Sequence, residues 1–427
     1  MAEQTPPERD RYVDFLRAVS ILMVVTGHWL VAGFFYSEGA LQDVNVLTVA
    51  PDTQWLTWIF QVMPIFFIVG GYSNAVSRES ARRRGIDYAG WLGARLNRLL
   101  APLLPLVGGW GIAAVVLVSM GYEPAIVQKI TQVALIPVWF LAIYIMVVVL
   151  APATYQLWER FGLLSLVLLG GMAILVDVAF FVAELTWAGW TNYFWVWLTV
   201  HQLGYAWRDG RFTGTRKLLM ISAIGWLTLA ALIFLGPYPL AMVASPDPEV
   251  SNTLPPKITL MALGLAQFGL LLAVQGPAKR LLDNVKVWAA CVLINSMIMT
   301  LYLWHITVMV IVLTVAFFLG GLGLDLEPAS SAWWLTRPVW LLILYLCLVP
   351  VTLALAPIEQ GAGGVVGSAG MLRQIAGAMM TCTGIALVSL YGFGNAMLPF
   401  LDVAAFVFIF AGAAIAGLVS LPEERHV

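Results

Sequence analysis

Residues 9–29 read RDRYVDFLRAVSILMVVTGHW, and this stretch decides the fold. Beyond Phe15 it is apolar for most of a bilayer crossing, yet Arg17 and His28 lie inside the run. A hydrocarbon core about 30 Å thick takes roughly 20 residues of helix, so a segment of this length and character reads as a membrane span. Ionisable side chains within a span are costly and usually face a bundle interior or a water-filled cavity. Ten residues separate Arg17 from His28. Steps of about 100° return the two side chains to nearly the same helix face, about 16 Å apart along the axis. Asp14 lies near that stripe, spaced to pair with Arg17 at i, i+3. The competing reading is that Arg17 snorkels to the inner interface and His28 satisfies a neighbouring carbonyl.

The rest of the chain extends the pattern. Of 427 residues, 61% are hydrophobic and 11% charged, and the mean hydropathy is +0.89. An ordinary soluble domain is roughly 25% charged, which excludes a soluble enzyme. The glycines and prolines lack a period and the apolar content is high, which excludes collagen-like and disordered chains. A net charge of -1 makes no case for nucleic acid. Cys291, Cys347 and Cys382 fall far apart inside apolar runs and read as core residues. The first apolar run carries Arg17 and His28 and has no small-residue cleavage pattern, so it is expected to stay in the protein.

Twelve segments of spanning length are expected, near 13–35, 55–76, 97–120, 133–152, 162–183, 188–207, 217–236, 258–274, 288–319, 333–357, 371–391 and 397–421. With the N-terminus inside, nineteen of the 22 Lys and Arg residues fall on the inner side, and only Lys129, Lys257 and Arg337 fall outside. That asymmetry supports an all-α polytopic bundle with both termini cytoplasmic.

Other polar residues narrow the functional candidates. Arg95 and Arg98 lie three apart at the start of the third span, a spacing suited to gripping phosphate oxygens. Arg82, Arg83 and Arg84 read as topology determinants. His305 is expected about 25 Å from the inner start of the ninth span, near the depth of His28. His201 reads as a packed or carbonyl-bonded histidine. No HExxH-type pair or carboxylate cluster accompanies the histidines, so no metal site is expected. Gly70 and Gly71 in FFIVGGYS read as a close helix-packing point.

The ordered set RDRYVDFLRAVSILMVVTGHW, MPIFFIVGGYS, ARLNRLLAPLLP, VWFLAIYIMV and LYLWHITV resembles the acyltransferase-3 family of bacterial membrane acyltransferases. Arg17 with His28 matches the family's first-helix motif, and Arg95 with Arg98 matches its RxxR motif. The resemblance covers roughly residues 9–357 and implies a ten-helix core with two C-terminal helices added. The expected organisation is a cytoplasmic tail over 1–12, an acyltransferase core over 13–357, two more helices within 358–421 and a tail at 422–427.

The resemblance also implies multi-pass residence in the bacterial plasma membrane and transfer of an acyl group from a cytoplasmic donor to a hydroxyl. Acyl-CoA is the expected co-substrate, with no bound cofactor, and the acceptor is an envelope glycan, glycolipid or related molecule. His28 and Arg17 are the expected catalytic residues, Arg95 and Arg98 the donor-binding pair, and His305 an acceptor or oxyanion contact. Nothing in the sequence fixes an oligomeric state. The rival readings are a twelve-span secondary transporter, which should show related halves, and a non-catalytic exporter of lipid-linked glycans. The seventh span has no counterpart to Arg17 and His28, and both arginine motifs are present, so both rivals are disfavoured.

Overall fold

Asp10 starts the first helix, its carboxylate accepting the Tyr12 N–H at 2.9 Å as an N-cap. A computed structural model of the chain describes residues 10–37, 39–243, 250–362, 369–395 and 399–418. The tail at 422–427 and residues 1–9 of the N-terminal tail lie outside these.

Helix α1 (Arg11–Val31) runs unbroken into a strand pair, β1 (Ala32–Ser37) and β2 (Ala40–Asn45). The pair is antiparallel, with Ala32 opposite Asn45 and Ser37 opposite Ala40. Asn45 caps the single turn α2 (Val46–Val49) by accepting the Leu47 N–H at 2.9 Å. A 3-10 turn at Pro51–Leu56 leads to α3 (Thr57–Phe60) and α4 (Met63–Arg83). Asp87 caps α5 (Tyr88–Leu100). Ala101 and Pro102 separate it from α6 (Leu103–Ser119), where proline withholds the N–H that would continue the ladder.

There follow α7 (Pro124–Ala134), α8 (Val138–Phe161), α9 (Leu163–Phe181), α10 (Asn192–Arg208) and α11 (Thr215–Leu235). The chain then forms α12 (Ile258–Ala273), α13 (Gln275–Leu281), α14 (Val285–Ser296), α15 (Ile298–Phe318) and α16 (Ser331–Gly361). The last two helices are α17 (Met371–Tyr391) and α18 (Pro399–Ile415).

The chain is a largely helical multi-pass membrane protein. Among the described residues, nine helices or joined helices are long and apolar enough to cross a membrane, or ten if α12 and α13, bent by 58°, count as one. Two of the twelve expected segments are not among these. The 188–207 segment is a 3-10 turn followed by α10, whose 17 residues are buried without a break from Val196 to Trp207. The described part of the 397–421 segment holds α18, of 17 residues. The all-α expectation holds except for the strand pair, which occupies the end of the expected first span and the loop after it.

The chain divides into two compact units. The first comprises 1–79, 151–295 and 323–337, and the second 80–150, 296–322 and 338–427. Within the first, α4 and α10 cross at Gly71 and Gly204. A Cβ on Gly204 would collide with the Ile68 carbonyl, and one on Gly71 with the His201 carbonyl. Small residues thus let the two backbones touch, the packing role that the sequence suggested for Gly71. Phe67 stacks on Trp197 beside this crossing, with ring centroids 4.4 Å apart. Within the second unit, α17 packs lengthwise on α18, and α7 lies against the C-terminal end of α17.

Candidate active site

The first unit holds Arg17 and His28, both half-buried and both on α1. Because α1 is continuous between them, the helical repeat keeps the pair on one face. The start of α1 is fixed by contacts from later in the chain. Tyr12 O–H donates to the Leu271 carbonyl at 2.6 Å, and Asn295 Nδ2 donates to the Asp14 carbonyl at 2.8 Å. Arg11 lies over the Trp288 ring, 5.1 Å from its centroid. At the other end His28 stands in the last helical turn, and its carbonyl accepts the N–H of Ala32, the first strand residue. The side chain of Phe60 closes on the helix beside His28, 3.2 Å from where a Cβ on Gly27 would lie.

Arg95 and Arg98 occur together on α5 in the second unit. Arg98 is exposed, while Arg95 is half-buried and lies over the Trp91 ring, 5.7 Å from its centroid. His305 also belongs to the second unit, on α15, and is fully buried. Its Nδ1 donates to the Tyr302 carbonyl at 2.6 Å, and Tyr302 O–H donates to the Pro137 carbonyl. The expected ninth span is broken at Met297 into α14 and α15. His305 therefore stands about 11 Å from the start of α15, not 25 Å along a continuous helix.

His201 is packed, as its sequence context suggested. It is fully buried in the first unit, with Asn74 Nδ2 donating to its Nε2 at 3.1 Å and Tyr205 meeting its ring edge-on.

Two ionic arrangements escaped the sequence reading. In the first unit Asp177, on α9, accepts hydrogen bonds from Asn192 Nδ2 at 2.9 Å, Tyr238 O–H at 3.0 Å and the Ile258 N–H at 2.9 Å. Fully buried Lys257 sits beside it, its Nζ 3.8 Å from the Phe180 ring centroid and donating to the Pro255 carbonyl at 3.3 Å. Burial pushes the Lys257 ammonium below the ordinary lysine pKa, and the charge of Asp177 opposes that shift. Burial also raises the Tyr238 phenol, assisted by the same carboxylate.

In the second unit Glu359 accepts the N–H groups of Met299 and Thr300 at 3.1 and 2.9 Å, and the Thr300 hydroxyl at 2.7 Å. A carboxylate thus caps the start of the His305 helix. The rule that singled out His28, an ionisable group inside an apolar run, applies equally to Asp177.

A family model described as an acyltransferase domain matches residues 10–357. No curated protein and no solved structure matches the chain. The matched region includes Arg17, His28, Arg95, Arg98 and His305, and it ends before α17 and α18.

Proposed function

The chain belongs to the acyltransferase-3 family, and on that premise we propose that it moves an acyl group from a cytoplasmic acyl-CoA to a hydroxyl of an envelope glycan, glycolipid or related acceptor. That it is a membrane acyltransferase follows from the family and the apolar helices. The observation that carries the finer reading is the placement of Arg17 and His28 on one face of the uninterrupted helix α1.

An acceptor hydroxyl is a weak nucleophile until a positioned base takes its proton, and a neutral imidazole is suited to that near pH 7. His28 accepts the hydroxyl proton as the oxygen attacks the thioester carbonyl. The C–S bond then breaks, the ester remains on the acceptor, and the coenzyme A thiolate recovers a proton from the imidazolium. Arg17, on the same face about 16 Å along the helix axis from His28, supplies a fixed positive charge that positions the donor. Arg95 and Arg98 hold donor phosphates through charge-assisted hydrogen bonds. His305, whose Nδ1–H is committed to the Tyr302 carbonyl, is the weaker candidate, for orienting the acceptor or the oxyanion. The reading places the protein in a bacterial plasma membrane with both termini inside.

The test is mass spectrometry of envelope glycans, glycolipids and secreted metabolites from cells with the gene, without it, and with His28→Ala restored in its place. The expected result is one acyl mass increment present only with the wild-type copy. Identical profiles from all three would overturn the proposal.

A further inference from the structure

We propose that the α17–α18 hairpin, which lies outside the matched family region, is a positioning element for the arginine helix α5, acting through the contact of Gln374 with Gly93. The inference rests on the donor-binding reading of Arg95 and Arg98 and assigns the added helices a part in it.

The hairpin is built to be stiff. A Cβ on Gly377 would lie 2.5 Å from the Gly412 carbonyl oxygen, and one on Gly384 would lie 2.8 Å from that of Ala405. The two helices therefore meet backbone to backbone. The far end of α17 is tied to α7. Gln128 and Gln132 donate to the Tyr391 and Leu390 carbonyls at 2.9 and 2.7 Å. Thr131 Oγ1 donates to the Phe393 carbonyl and accepts the Phe393 N–H, both at 2.8 Å.

The near end of α17 meets α5. Gln374 is 2% exposed and donates from Nε2 to the Ala369 carbonyl at 2.9 Å. A Cβ on Gly93 would lie 2.9 Å from that same nitrogen. One turn along α5, Asn97 Nδ2 donates to the Ala362 carbonyl at 2.6 Å, a second tether from the region beyond residue 357.

Helical geometry turns these contacts into an orientation. At about 100° per residue, Gly93 and Asn97 lie within about 40° of each other, while Arg95 and Arg98 point roughly 160° and 140° away from Gly93. The buried residues Leu96 and Leu100 border the Gly93 side. The added hairpin thus bears on the back of α5, and the face opposite presents the arginines.

The experiment is a double-mutant cycle in the full chain, held in lipid nanodiscs, with coenzyme A as the probe ligand. Gly93→Val places methyl groups where the Gln374 amide sits, and Gln374→Ala vacates that space. The expected result is that Gly93→Val weakens coenzyme A binding about tenfold, and that adding Gln374→Ala restores it to within about threefold. Amide hydrogen exchange in α5 should rise in the single variant and return in the double. If Gly93→Val does not accumulate, Gly93→Ala is read the same way, with a smaller expected loss of about threefold.

A hairpin that serves folding alone would lower the yield or melting temperature without moving the affinity or the α5 exchange of the folded protein. Wild-type affinity in folded Gly93→Val, while Arg95→Ala and Arg98→Ala lose it, would overturn the positioning role and leave the donor reading standing. Wild-type affinity in the arginine variants would overturn the donor reading and, with it, this role.

Discussion

The side-chain nitrogen of Asn74 lies 3.1 Å from Nε2 of His201, with the two residues 1% and 0% exposed. The Asn74 amide thus meets one ring nitrogen, while Asn74 Oδ1 and His201 Nδ1 are buried with no hydrogen-bond partner among the described residues. His201→Ala is expected to open a cavity and strand the Asn74 amide, lowering stability by about 2–4 kcal/mol. Its folded fraction should still turn over at near the wild-type rate. Thermal denaturation in detergent, paired with acyl-transfer rates per folded molecule, checks both halves of this expectation.

His28→Ala should behave in the opposite way. Removing a general base is expected to slow the chemical step roughly 10²- to 10⁴-fold while leaving donor binding largely intact. Single-turnover transfer by purified protein in lipid, with the melting temperature measured in parallel, separates lost chemistry from lost fold. A well-folded variant with a wild-type rate would take His28 out of the mechanism.

Arg95→Ala and Arg98→Ala should each weaken coenzyme A binding. Charge-assisted contacts to phosphate are worth about 1.5–3 kcal/mol, or roughly tenfold to a hundredfold in affinity. Titration of the two purified variants measures the loss, and the Arg95→Ala value also includes its contact with Trp91.

Orientation is open to direct chemical labelling. Gln42 is an exposed residue of β2, and Arg83 is exposed at the end of α4. Gln42→Cys should react with an impermeant maleimide on intact cells, and Arg83→Cys only after permeabilisation. Two of the three cations assigned outside, Lys257 and Arg337, are buried against aromatic rings. Lys129 alone of the three is exposed, which sharpens the charge asymmetry behind the expected pattern.

Asp177→Ala should be among the costliest single changes in the first unit. It leaves the Lys257 ammonium buried and strips the partners from Asn192 and Tyr238. Breaking one side of a buried ionic arrangement typically costs about 3–5 kcal/mol. Thermal unfolding of the variant measures it, and Asp177→Ala combined with Lys257→Met should recover part of the loss.

Hydropathy made the spans legible because lipid demands the same thing of each of them, a long apolar helix. It also made α1 and its one-faced Arg17–His28 pair legible, since helical repeat and sequence spacing are then the same quantity. The strand pair was hidden because AGFFYS is as apolar as a helix end. What stops α1 at Val31 is the pairing with β2, together with the close fit of Gly33 under the Val44 carbonyl and Pro328. The break at Met297 was hidden for a similar reason. Its cause is the cap from Glu359, about 60 residues away. Asp177 lay in plain view, but its role depends on Asn192, Tyr238 and Lys257, which only the folded chain brings to it.

The strand pair joined to α1 amounts to a handle. No hinge separates His28 from it, because the hydrogen bond from Ala32 to the His28 carbonyl carries the helix straight into the first strand. Tyr36 in turn donates its N–H to the Leu324 carbonyl at 2.6 Å, so the handle is gripped by the segment 323–337. Torque applied to that segment, by an antibody or a bound polymer, would therefore be delivered to the imidazole end of α1 without any ligand having to reach it.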